Sequence, residues 1–433
     1  VSHLAQGDED LPRDFAVVVV EALRGAGFDA LWAGGCVRDD LLGLAPKDYD
    51  VATNATPDQV IELFGKRKTV PVGVSFGVVM VLGPTRGHGQ IEVATFRADG
   101  EYLDGRRPSA VSFCSAEEDA RRRDFTINGM FYDPLADEVI DYVGGRSDLN
   151  SGIVRAIGNA TARFTEDKLR MLRAVRFAAT YEFEIENSTA SAIAALRGDV
   201  TQVSAERIAQ ELRRMLSHRT RAVSVTQLQA TGLMEVLFPK LFGSEALVQV
   251  AGAYFTSVSD VLRHLTLPVF EPALAVLLNA AVREDGHGVR RRTGLLLDEC
   301  RSLRLSNEES ECICWLADNV VVCRNARQLP LHIIKPILYD QRRELLLEML
   351  QALSKGLKQD PDDVTFLNRY LEDATSEDLN PKPFVDGADL KKLDIPTGPI
   401  FKQLLTTIRN EQLDEQLLTR EQALKRLQEL YRE

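Results

Sequence analysis

Apolar positions change rhythm three times along the chain. Phe15, Val18, Val19 and Leu23 recur at helical spacing within residues 12–27, and Gly25 and Gly27 supply a C-terminal stop. The stretch 31–53, LWAGGCVRDDLLGLAPKDYDVAT, opens as an apolar strand and breaks at Gly34-Gly35. It resumes with Val37, Leu41 and Leu42 at helical spacing, then presents Asp48-Tyr49-Asp50 in a second strand. Thr56-Pro57-Asp58 predicts a helix start with proline in its first turn. Val70–Val81 and Gln90–Phe96 are rich in β-branched residues and bounded by Gly-Pro and Gly-His-Gly, which predicts paired strands. From Ala98 to Ala120 the pattern lapses, and Asp99-Gly100 and Asp104-Gly105-Arg106-Arg107-Pro108 predict a long irregular loop. Beyond residue 160 strands largely disappear. Thr165 is expected to cap a helix carrying Glu166 and Asp167 in its first turn and Leu169, Leu172, Val175 and Arg176 along its face. Ser204-Ala205-Glu206-Arg207 begins another helix, with breaks expected at Pro239, Pro268, Pro330 and Pro336. Leu353–Asp363 reads as a linker, and Asn380-Pro381-Lys382-Pro383 opens a final helical unit.

The organising stretch carries chemistry. Two glycines at a strand-to-helix turn let backbone approach a bulky anion, to which the helix N-terminus offers free N–H groups. Arg38 and Lys47 add positive charge. The glycines match neither G-x-G-x-x-G nor the P-loop. In a strand, Asp48 and Asp50 would share a face, and two carboxylates beside a phosphate cradle suggest a divalent metal between protein and nucleotide. Glu92 lies among Ile91, Val93 and Ala94, where a carboxylate is either a sheet-edge charge or a third metal ligand. Arg122-Arg123-Asp124-Phe125-Thr126-Ile127-Asn128 offers arginines for phosphates and Asn128 for a sugar hydroxyl, while Asp124 also suits a helix N-cap. Asp167 and Arg170, three apart, would be neighbours on one helix face. An acceptor beside a donor fits the Watson–Crick edges of cytosine and adenine and mismatches guanine and uracil. Glu166 and Asp167 would equally complement a helix dipole.

Composition narrows the setting. At 433 residues the chain should hold two to four compact units. No apolar run reaches the roughly 18 residues of a membrane span and no signal-peptide pattern opens the chain, so no membrane association is expected. The six cysteines are scattered, and Cys312-x-Cys314 is a poor zinc spacing, so reduced thiols in a cytoplasmic protein are expected. A net charge of −12 leaves room for nucleic acid only in a confined basic groove. Such a groove would draw on Arg121-Arg122-Arg123 and on Arg163, Lys168, Arg170, Arg173 and Arg176.

The order GG-x-VRD-x-LLG then D-x-D resembles the head of class II tRNA nucleotidyltransferases and bacterial poly(A) polymerases, within the polymerase-β-type nucleotidyltransferases. The segments IEVATFR (91–97), RRRDFTINGMFYDP (121–134), DYVGGRSDL (141–149) and RFTEDKLRMLRAVRFAA (163–179) resemble the family's remaining motifs in order, densely to about residue 215. The resemblance implies an α+β chain: a mixed-sheet head (1–158), then an all-α neck for nucleobase recognition (159–230), body (231–360) and RNA-binding tail (361–433). It implies template-independent addition of CTP and ATP to a tRNA 3′ end, with two Mg²⁺ ions on Asp48, Asp50 and Glu92. Gly34, Gly35, Arg38, Arg123, Asp124, Asn128, Asp167, Arg170, Arg173 and Arg176 would bind the nucleotide, with Glu166 in support. It turns Glu92 from edge charge into ligand and Asp167–Arg170 into a base reader. It places a switching loop for the final adenosine at 98–120, and a monomer or dimer is expected. Poly(A) polymerase or A-adding activity is the rival, with a noncatalytic RNA-binding protein more remote. Poly(A)-type relatives often carry a basic pair where this chain has Val72-Gly73-Val74-Ser75-Phe76-Gly77, which favours tRNA. His264-Leu265-Thr266 sits where some relatives carry a His-Asp phosphohydrolase signature, but no His-Asp pair occurs anywhere.

Overall fold

The computed structural model describes residues 11–73, 77–99, 111–239, 251–281 and 289–432. The chain forms two compact units, one of Val1–Met215 with Gln227–Leu237 and one of Leu216–Thr226 with Phe238–Glu433.

The first unit is built on a mixed seven-stranded sheet. Its strands are β1 (Ala30–Ala33), β2 (Asp50–Thr53), β3 (Thr69–Gly73), β4 (Val78–Leu82), β5 (Gln90–Thr95), β8 (Phe131–Asp133) and β9 (Glu138–Ile140), in the order β3-β4-β5-β2-β1-β8-β9. A separate antiparallel pair joins β6 (Arg97–Asp99) to β7 (Val111–Phe113). The expected strand Val70–Val81 is two antiparallel strands, and its residues 74–76 lie outside the described residues, as does most of the expected loop at 98–120. Helix α1 (Leu11–Gly25) buries Phe15, Val19 and Leu23 of the expected stripe together with Val20, whereas Val18, expected on the same face, is 53% exposed. α2 (Gly35–Leu41) follows β1 directly. α3 (Pro57–Phe64) begins with a capping box in which Thr56 and Gln59 satisfy each other's backbone N–H groups.

Three helices follow β7: α4 (Ala116–Arg121), α5 (Gly145–Ser151) and α6 (Ala160–Glu166). α6 stops at Asp167, whose φ of −140° is extended, and α7 (Leu169–Tyr181) starts afresh. The sequence expectation of one helix with Glu166 and Asp167 in its first turn is therefore corrected: Glu166 ends one helix and Asp167 links it to the next. The Asp167 carboxylate accepts the Leu169 N–H at 3.0 Å, a local bond that competes with helix continuation. α8 (Asn187–Leu196) and α9 (Ala205–Leu216) complete the region that shapes the site.

The second unit is helical throughout its described residues. Two proline expectations differ in outcome. Pro330 is the N-cap of the helix Leu331–Tyr339, whereas Pro336 lies inside that helix and does not break it. The supposed linker is mostly ordered, since one helix runs Arg343–Gly356 and the next begins at Asp362. The final unit packs Leu390, Leu404, Ile408, Ala423 and Leu427 into a core of its own.

Candidate active site

The turn after β1 sets the site. β1 is buried at every residue, and Gly34 then takes φ 75° and ψ −123°, a conformation L side chains avoid. A Cβ on Gly34 would lie 2.9 Å from Nη1 of Arg123, whereas one on Gly35 would meet nothing nearer than 3.5 Å. Gly34 is thus required by its backbone conformation, and a Cβ there would also push the tip of Arg123 aside; Gly35 is required by neither.

Beside this turn, β2 and β5 run parallel with Asp50 directly opposite Glu92. Residues in register share a face, so the two carboxylates stand together. β5 lies between β4 and β2, so the edge-charge reading of Glu92 does not hold. Asp48 is exposed and precedes β2, so the expected same-face pair within one strand is corrected to an Asp50–Glu92 pair across two strands. Burial and then the Glu92 charge push the Asp50 carboxyl up to about 6, with Arg123 opposing and Asp48 adding repulsion. Glu92 is raised by desolvation and by Asp48, against the opposing charge of Arg97. Excess negative charge is concentrated here.

A cavity of about 590 Å³ opens over these strands. It is lined by Gly34, Gly35, Arg38, Asp50, Glu92, Arg123, Asp124, Asn128, Asp167, Arg170 and Arg173, eleven of the residues singled out from the sequence. Its walls carry seven arginines against four carboxylates, a local positive surplus on an acidic chain. Asp48, Glu166 and Arg176 are not among the lining residues. Glu166 instead accepts from Arg170 at 2.6 Å and Arg163 at 2.9 Å, and Arg176 reaches the buried Glu211 at 2.6 Å.

The arginines are held, not loose. Arg38 is buried, hydrogen-bonded to Asn128 and to Asp39, with its guanidinium 4.6 Å from the Tyr181 ring centroid. Asn128 donates to Asp124 at 3.0 Å, and Asp124 accepts from Arg173 Nε at 2.8 Å, so a continuous chain of bonds joins α2 to α7. Although burial opposes its charge, Arg173 and three hydrogen bonds hold the Asp124 carboxyl down at about 2. The N-cap reading of Asp124 is replaced by this role: the short turn Thr126–Asn128 is preceded by Phe125 and has no side-chain cap. Asp167 pairs with Arg207 at 2.8 Å, while Arg170 bonds Glu166; both side chains line the cavity, but from successive segments and not from one helix face.

Two residues that hold the site were missed. Asp119, 1% exposed, takes Arg122 on one oxygen and Arg123 on the other. Its spacing of three and four before those arginines was a readable signal. Arg207 stands 40 residues from Asp167, and no local pattern announced the pair.

Residues 30–155 match the family model for the poly A polymerase head domain, and residues 182–243 match that for the probable RNA and SrmB-binding site of polymerase A. The sheet, its paired carboxylates and the arginine-lined cavity all belong to the first of these or adjoin it. Over these stretches the chain is similar to poly A polymerases and CCA-adding enzymes. It is 40% identical over 242 residues to the CCA-adding enzyme of Lactiplantibacillus plantarum, a match covering 55% of this chain and 58% of that one. To the CCA-adding enzyme of Geobacillus stearothermophilus it is 39% identical over 244 residues, covering 56% and 59%. The matched stretch thus spans somewhat over half the length of these relatives. Among solved structures, the Bacillus stearothermophilus CCA-adding enzyme in complex with CTP superposes with a TM-score of 0.74 at 26% identity, over 97% of this chain and 98% of that one. The Thermotoga maritima CCA-adding enzyme complexed with tRNA shares the fold, with a TM-score of 0.64 at 20% identity over 98% and 96%. No described helix is long and apolar enough to cross a membrane.

Proposed function

We propose that the chain is a template-independent nucleotidyltransferase that adds CTP and ATP to tRNA 3′ ends. One observation carries the reading: a single cavity holds Asp50 and Glu92 in register on one wall and Asp167 with Arg170 on another. The first pair suits the reacting phosphate and the second suits a base edge. Supporting it are relatives named CCA-adding enzyme that match about half of this chain.

The family generally works with a divalent metal ion. Among the described residues no three His, Cys, Asp or Glu side chains form a cage for one. The donor set still fits two Mg²⁺ ions, because Mg²⁺ keeps waters and takes one or two carboxylates plus substrate phosphates. Asp50 and Glu92, with Asp48, would hold them, and a cation would offset the burial and the mutual repulsion that together raise Asp50. Bound metal would neutralise charge on the attacking and leaving oxygens. The protein's own groups do the rest. Gly34 and Gly35 allow close approach of the triphosphate, and Arg38 and Arg123, locked by their partners, present fixed positive charge to it. Arg170 would donate to N3 of cytosine or N1 of adenine while Asp167 accepts from the exocyclic amine. Glu166 aims Arg170, Arg173 holds Asp124, which in turn accepts from Asn128, and Arg176 ties α7 to Glu211. In this reading residues 1–158 are the catalytic head, 159–230 the base-reading neck, 231–360 the body and 361–433 an RNA-binding tail. No disulfide joins the cysteines among the described residues, which suits a reducing cytoplasm.

The test is incubation with tRNA lacking CCA, and separately with oligo(A), each with single nucleotides, followed by product sizing. Two CMP residues and one AMP on tRNA are expected. Long A-only products on oligo(A) would shift the assignment to poly(A) polymerase, a reading favoured by the matched head domain's description. Tight RNA binding without any incorporation would leave the noncatalytic reading.

A further inference from the structure

The free edge of the seven-stranded sheet carries a surface that the cavity does not use. Register sets Asp50, Glu92, Met80 and Val70 in one row across β2, β5, β4 and β3. These four side chains share a face. On the opposite face of β4, Val79 and Val81 are buried, whereas on the row's face Val70 is 43% exposed, and Val72, within the register shift that follows it, is 63% exposed. Two residues before Val70 comes Lys68, whose carbonyl still accepts the Leu82 N–H at 2.8 Å, so the strand alternation extends to it. Lys66 and Arg67 occupy the turn leading there. All three cations are exposed, and none forms an ion pair among the described residues. At the usual strand spacing, Val70 lies about 14 Å from Asp50, with Lys68 roughly 7 Å further along β3.

We propose that this edge strand, β3, and the turn before it are the track for the single-stranded 3′ end of the acceptor RNA, with Lys66, Arg67 and Lys68 on its phosphates and Val70 and Val72 under its sugars and bases. The proposal rests on the nucleotidyltransferase reading and adds the primer's route. The acceptor hydroxyl must reach the Asp50–Glu92 pair while the arginine-lined cavity holds the incoming nucleotide. The row on β5, β4 and β3 leads from those carboxylates to open solvent on the same face. Three unpaired cations ending that row, on a chain of net charge −12, complement a phosphate backbone. A protein strand is a poor occupant of this edge. Pro71 removes one N–H, and the β3–β4 register shifts between Val70 and Gly73.

The test is a binding cycle without nucleotide, using the full chain, so that catalysis plays no part. A Lys66→Gln/Arg67→Gln/Lys68→Gln variant and the unaltered protein are each titrated with a labelled acceptor-stem RNA bearing its single-stranded 3′ end, and with the same stem recessed. The three sites are exposed, and a thermal melt checks that the fold is intact. The expected result is an affinity loss of roughly tenfold or more at low salt, confined to the RNA with the single strand. The slope of log affinity against log salt should fall by about 2, at about 0.7 per single-strand phosphate contact. Equal loss on both RNAs, or no loss on either, would overturn the track. Nucleotide incorporation by the unaltered protein is scored separately, so a failure of the enzymatic reading is seen independently of the binding cycle.

Discussion

Replacing Asp124 by Asn tests the bond chain that joins α2 to α7. Asp124 is 9% exposed, and its oxygens accept from the Phe125 N–H at 2.8 Å, from Asn128 at 3.0 Å and from Arg173 Nε at 2.8 Å. Its carboxyl lies at about 2, below the ordinary 3.8. Because the folded value is the depressed one, the stabilisation is fully present above pH 4 and is lost as pH falls through 2. That depression corresponds to about 2 kcal/mol of preference for the charged form. In the Asn variant an amide N–H₂ faces the Arg173 guanidinium, donor against donor, and a cation is left without its counter-charge. Loss of one partner of a buried pair costs about 3–5 kcal/mol, and because Arg173 is partly solvent-accessible the lower end is expected. The assay is urea unfolding of both proteins at steps between pH 7 and pH 2, following the transition of the unit that contains the sheet. The difference between them should be about 3 kcal/mol at pH 7 and should shrink toward pH 2, where the native carboxyl also becomes protonated. A difference below 0.5 kcal/mol at pH 7 (on the order of a surface substitution), or one that stays constant down to pH 2, would refute the reasoning.

Other outcomes follow from the same geometry. Asp50→Ala should abolish incorporation while leaving tRNA affinity nearly intact; substantial turnover with Mg²⁺ would remove Asp50 from the reacting site. Gly34→Ala should lower stability by about 1–3 kcal/mol through its positive φ and the Arg123 clash, whereas Gly35→Ala should change the melt little. Equal melting points for the two variants would contradict the turn assignment. Asp167→Ala should reduce CTP and ATP efficiency and admit UTP or GTP, read by single-nucleotide kinetics; a uniform slowing of all four nucleotides would mean that Asp167 does not read bases. Deleting part of Tyr102–Ser109, which lies outside the described residues, should stop synthesis after two cytidines, and normal CCA completion would exclude a switching role.

What the sequence determined by itself is local. The Gly34 turn, the helix start at Thr56-Pro57 and most of the α1 stripe each depend on backbone preference within one or two turns of chain, so their residues announce them. About half of the cavity lining was legible for the same reason, because those residues arrive in compact motifs. The tertiary structure decided what faces what. Asp50 and Glu92 meet only because β2 and β5 pair in parallel, a register fixed by the buried faces of the whole sheet. Asp124 finds Arg173 49 positions away, and Asp167 finds Arg207 40 away, partners that no periodicity connects. Helical spacing also misled at Asp167, where a side-chain bond to the Leu169 N–H and the pull of Arg207 accompany a break that propensity alone did not require. Residues close in sequence constrain one another through a few dihedral angles. Residues far apart do so only after the core has packed, and the chemistry proposed here depends on the second kind of constraint.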